Sequence, residues 1–200
     1  MINREAYIYF VSFNVSDLSK LEDKMNLLGF SLYKPNTSLV TSILDEQDIE
    51  TADQLVGDDI EVTYEWLVDR VQHKTTTVIQ WWANDWRDIF FRIRFYDNVA
   101  ELMFDLGSVA NTHLEQAFID MFTNLFVDAL KKHLAIGLAV DMNGNNEGFQ
   151  WSELFLQELP FLGSMPTVLA IPFQKLGQII TDTKNTKKEI NGEFIFFISR

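Results

Sequence analysis

Between Thr77 and Leu106 apolar and polar positions alternate with the two-residue period of half-buried strands. Ile89, Phe91, Ile93 and Phe95 interleave with Phe90, Arg92, Arg94 and Tyr96. Beyond Asp97-Asn98, Ala100, Leu102, Phe104 and Leu106 interleave with Glu101, Met103 and Asp105. Asp97-Asn98 suits a two-residue hairpin turn, which sets Ile93 against Leu102, Phe91 against Phe104, and Arg94 against Glu101. Thr77 to Ala83 reads as a further strand. The odd length of the loop Asn84 to Asp88 sends Ile79 and Trp81 to the apolar face, and Gln80 and Trp82 to the arginine face. The expected centre of the fold is therefore a three-stranded antiparallel meander over about residues 77–106. Its second face gathers Gln80, Trp82, Phe90, Arg92, Arg94, Tyr96, Glu101, Met103 and Asp105.

The period then changes. Leu114, Ala117, Phe118, Met121, Phe122, Leu125, Phe126, Ala129 and Leu130 form a broad helical stripe. Thr112-His113-Leu114-Glu115 has the form of a capping box, and Lys131, Lys132 and His133 complement the dipole at the far end. This long amphipathic helix, about residues 112–133, is expected to pack on the meander.

The remaining elements are shorter. Tyr7 to Val15 predicts a strand, Leu18, Leu21, Met25 and Leu28 a helix stopped by Gly29, and Phe30 to Tyr33 a second short strand before Pro35. Thr51 to Val56 suits a helical turn, and Asp58 to Val71 a helix with Asp59, Glu61, Glu65 and Asp69 outward. Ile136 to Val140, Thr167 to Ile171 and Phe194 to Ile198 read as strands, and Phe149 to Leu159 as a helix. Gly177 to Asn191 reads as a loop, with or without a short helix. No internal repeat interrupts the series, so one α+β domain spanning residues 1–200, mainly antiparallel sheet, is expected.

Charge narrows the function classes. Asp45 to Asp69 holds ten carboxylates and no Lys or Arg, and dominates a net charge of -13. Such a segment repels double-stranded nucleic acid and anionic membranes and attracts basic surfaces. The absence of cysteine excludes thiolate metal sites, disulfides and thiol nucleophiles. With neither a signal-like start nor an apolar run of membrane-spanning length, the chain reads as cytoplasmic.

Catalytic patterns are sparse. Asp141-Met142-Asn143-Gly144-Asn145-Asn146-Glu147 alternates oxygen ligands as the start of a calcium loop does, with Asp141, Asn143, Asn145 and Glu147 as its ligands. A complete loop requires Gly at the place of Asn146, an acid at that of Ser152 and a preceding helix. The run is read as an Asn-Gly turn, and no metal or other cofactor is expected. On one helix His113 and His133 lie about 30 Å apart, too far to share a metal or a proton. No serine sits in a nucleophile elbow, and no glycine pattern matches a phosphate loop or a dinucleotide fingerprint.

Two functions follow as expectations. The first is a non-enzymatic acidic interaction protein that binds a basic protein through Asp58, Asp59, Glu61, Glu65, Trp82, Phe90, Arg92, Arg94, Tyr96, Glu101 and Asp105. Aromatic and arginine side chains are common interface anchors. Small acidic inhibitors of toxic nucleases, the immunity proteins of bacterial toxin systems, share this physical profile by composition, without a shared motif. The alternative is a small-ligand-binding or hydrolytic domain with a pocket between sheet and helices, lined by Arg92, Arg94, Glu101 or Asp105.

Overall fold

The computed structural model describes residues 4–44, 58–84, 87–109, 112–157, 164–172, 174, 186–191 and 194–199. The chain is α+β, with antiparallel strands dominating and few helices. In order the elements are β1 (Glu5–Val11), α1 (Val15–Leu27), β2 (Val40–Leu44), β3 (Asp58–Val62), α2 (Tyr64–Gln72), β4 (Thr77–Asn84), β5 (Arg87–Tyr96) and β6 (Val99–Asp105). They continue with α3 (Thr112–Leu130), β7 (Ala135–Asp141), α4 (Trp151–Leu156), β8 (Val168–Pro172), β9 (Thr186–Asn191) and β10 (Phe194–Ser199). The chain divides into two compact units, one of Met1–Val11 with Asp105–Arg200 and the other Ser12–Phe104.

In the unit Ser12–Phe104 the strands run in the order β3-β2-β4-β5-β6. Ile79 faces Phe91, Trp81 faces Ile89 and Thr77 faces Ile93, while Val78 faces Arg92, Gln80 faces Phe90 and Trp82 faces Asp88. Cross-strand partners share a face, so Ile79, Trp81, Ile89, Phe91 and Ile93 fall on one side, and Arg92 with Gln80, Trp82 and Phe90 on the other. Ile79, Trp81, Ile89, Phe91, Ile93, Leu102 and Phe104 are all buried. The rings of Phe91 and Phe104 lie 4.5 Å apart. Helix α1 opens with a reciprocal cap: Asn14 Oδ1 accepts from Ser16 N at 2.9 Å, and Asp17 Oδ2 accepts from Asn14 N at 3.3 Å. It closes at Gly29, whose φ of 82° is the left-handed stop expected there.

Three expectations change in this unit. Asp58–Val71 is not one helix: Asp58–Val62 is a strand, and helix starts only after Thr63, whose hydroxyl accepts from Trp66 N at 3.3 Å. Pairing of Ile60 with Ser42 and of Val62 with Val40 overrides the helical spacing. Phe30–Tyr33 forms only isolated bridges, Ser31 to Trp82 and Tyr33 to Val40. Val40–Leu44, not expected as a strand, joins β3 to β4. The turn expected at Thr51–Val56 lies outside the described residues.

In the other unit the order is β1-β7-β8-β10-β9, each neighbouring pair antiparallel. Helix α3 packs on β7 and β1. Phe126 meets Phe194 and Phe196 edge-on, at 5.3 and 5.7 Å. This helix thus belongs to the unit of β1 and β7 and not to the unit that holds β4 and β5. Its wide stripe is used by strands distant in sequence. Helix α4 covers the opposite face of the same strands, where Phe155 lies 4.8 Å from Tyr9 and Trp151 lies 6.1 Å from Tyr7. Gly137 on β7 makes room for it: a Cβ there would sit 2.0 Å from the Phe155 ring. Within the expected loop Gly177–Asn191, residues Thr186–Asn191 form β9 against β10.

Candidate interaction surface

β3 ends its strand order, and β2 is its strand partner among the described residues. A terminal strand leaves one row of backbone groups without a partner in the sheet. Asp59 and Glu61 on this strand are exposed, as are Glu65 and Asp69 on α2. Lys34 forms an ion pair with Glu61, and that hydrogen bond, more than any other influence, raises the Lys34 pKa. His73 Nδ1 lies 3.1 Å from Asp69 Oδ1, in the open. Asp58 belongs to the same strand.

Beside this edge is an aromatic pair that sequence reading passes over. The rings of Tyr33 and Tyr64 lie 6.5 Å apart and are partly buried. The bridge of Tyr33 to Val40 and a hydrogen bond from its backbone N to Ser31 Oγ, 3.0 Å, hold the first. The second begins α2 directly after its cap, Thr63. Burial raises both phenol pKa values, and Glu22 raises both further; Glu65 adds to the effect at Tyr33. Both tyrosines therefore sit in the field of Glu22, and Tyr33 also in that of Glu65. Glu22 itself is held above the usual carboxylate range by burial first and by Asp23 second. The four residues come from α1, the following loop and α2, so no contiguous motif announces them.

Cationic side chains nearby are committed. Arg70 stacks over Trp66 with its guanidinium carbon 5.3 Å from the ring centroid, and donates to Thr76 O at 2.8 Å and Thr77 Oγ1 at 3.3 Å. Burial lowers its pKa. Tyrosines flanked by carboxylates match arginine and lysine in two ways, by charge and by the ring face.

The second face of β4–β6 is built differently. Arg92 and Glu101 form an ion pair at 3.3 Å with side chains only 13% and 3% exposed. Gln80 Nε2 donates to Asp88 Oδ2 at 3.1 Å, and Arg94 donates to the Tyr96 hydroxyl at 3.3 Å. Trp82, Phe90, Arg94 and Tyr96 are partly buried. Asp105 Oδ1 caps its own turn by accepting from Gly107 N at 2.9 Å. Much of this set serves internal pairing.

The oxygen-rich turn divides as well: Asn143, Asn145 and Glu147 are exposed, whereas Asp141 is 4% exposed. Among the described residues, no group of three or more His, Cys, Asp or Glu is placed to hold a metal, and no helix is long and apolar enough to cross a membrane. Compared with known protein families, curated proteins and solved structures, the chain has no match.

Proposed function

We propose that the chain is a non-enzymatic interaction protein that binds a basic protein through the acidic, tyrosine-bearing edge of its unit Ser12–Phe104. The observation that carries this reading is the Tyr33–Tyr64 pair flanked by Glu22 and Glu65 beside the exposed Asp59 and Glu61 of β3. The three-stranded meander β4–β6, stiffened by the Arg92–Glu101 pair, is its scaffold. An immunity-type inhibitor of a basic toxin or nuclease is the role that fits such an edge: it covers a cationic active site, and charge speeds the encounter. The test is capture of partners from the native host, with the products of adjacent genes included as prey. A basic protein is expected on the wild-type chain and lost when Asp59, Glu61 and Glu65 are all changed to Lys. Equal capture by the variant removes this edge from the interface.

One observation favours a second reading, a small polar ligand held on the other sheet face. Among the described residues Gln80 Oε1, Trp82 Nε1 and Arg92 Nε are buried without a hydrogen-bond partner, and the register places all three on one side. Native structures leave few such atoms unsatisfied. A polar metabolite that raises the melting temperature of the wild type and fails to do so in Gln80→Leu would support it.

A further inference from the structure

We propose that Glu5 and Asp141 form a binding site for a hard divalent cation on the β1–β7 strand pair. The register makes Glu5 and Asp141 direct cross-strand partners, so both carboxylates project from one face of the sheet. Like charges directly opposite each other destabilise a strand pair. Asp141 is also 4% exposed. Its Oδ2 is fully used, accepting from Asn146 N at 2.7 Å and Asn146 Nδ2 at 3.1 Å. Its Oδ1 is buried and has no hydrogen-bond partner among the described residues. A buried carboxylate oxygen without a partner is costly, because burial removes water and supplies nothing in return.

The neighbouring guanidinium does not answer this charge. Arg4 donates through Nε to Met142 O at 3.2 Å and through Nη1 to Val109 O, and its Nη2 pairs with Glu115 at 2.9 Å. Glu5 is steadied on the shared face by Tyr7, whose hydroxyl donates to Oε2 at 3.0 Å. A divalent cation held between the two carboxylates supplies the partner that Asp141 Oδ1 lacks. The donors are oxygens alone, which selects calcium or magnesium over the softer transition metals. The site is independent of the partner-binding edge, since its residues belong to the other unit.

Terbium, a luminescent stand-in for calcium, tests this directly, because Tyr7, which bonds to Glu5 and whose ring lies 6.1 Å from that of Trp151, is placed to sensitise it. Bound terbium is expected to emit on excitation of the protein, to be displaced by calcium or magnesium, and to weaken at least about tenfold, roughly 1.4 kcal/mol, in Glu5→Gln. Asp141→Asn is expected to lose emission and the rise in melting temperature that the displacing ion gives the wild type. If that buried variant does not fold, Glu5→Gln, at a partly exposed position, decides alone. No sensitised emission, or emission unchanged in Glu5→Gln, overturns the proposal; emission lost in Glu147→Gln but kept in Glu5→Gln places the ion on the Asn-Gly turn instead.

Discussion

His133 closes α3 in the left-handed conformation, with φ of 56°. Leu134 N bonds to Ala129 O at 2.9 Å and His133 N to Leu130 O at 3.0 Å, the two bonds of a glycine-type helix stop. A residue with a Cβ is strained there. His133→Gly is expected to stabilise the fold by about 1 kcal/mol in urea denaturation, since the left-handed penalty disappears. In the sequence His133 reads only as a cation at a helix end; its backbone conformation depends on where the chain must turn into β7. Glu22 gives a second prediction at this scale. Its folded pKa is raised by burial and by Asp23, so the fold favours the protonated form. That contribution is fully present below the unfolded pKa and is lost as pH rises through the folded one. Glu22→Gln should therefore stabilise the protein at neutral pH and have no effect in acid below the carboxylate range. Denaturation midpoints at the two pH values check this, and an equal effect at both contradicts it.

At the scale of elements, the packing of α4 on β7 is set by one missing side chain. A Cβ at position 137 would enter the Phe155 ring. Gly137→Ala is expected to destabilise by about 1–3 kcal/mol, the usual cost of overpacking, and Phe155→Leu in the same chain to recover part of it. Thermal unfolding of the single and double variants measures both. In the sequence Gly137 and Ala139 are visible as small residues within an expected strand, but the helix that approaches is not. Strands with strong alternation, such as β5 and β6, are legible because burial of one face leaves a period of two. β3 is not: Asp58–Val62 carries three carboxylates and two β-branched residues, and its pairing with β2 is decided by residues fourteen or more positions away. β9 is hidden in the same way, its Lys-rich sequence reading as loop although Gly192-Glu193 before Phe194 is a two-residue hairpin signal.

At the scale of the whole molecule, charge is the property most legible in the sequence and geometry the least. A net charge of -13 and the window Asp45–Asp69 are what raise the expectation of a basic partner. The tyrosines proposed as anchors of the acidic edge are dispersed, and only the fold brings Tyr33 and Tyr64 together. The sheet-face residues chosen for their chemistry are in part engaged with one another, as Arg92 with Glu101, because a buried charge requires a partner. Electrostatic steering predicts association that slows as salt screens the edge. The most direct measurement is the association rate of the captured basic partner against ionic strength, for the wild type and for the variant with Asp59, Glu61 and Glu65 changed to Lys. A wild-type rate that falls at least about tenfold from low to high salt, with the variant slow at every concentration, is expected. A rate indifferent to salt, or a variant as fast as the wild type, contradicts the account.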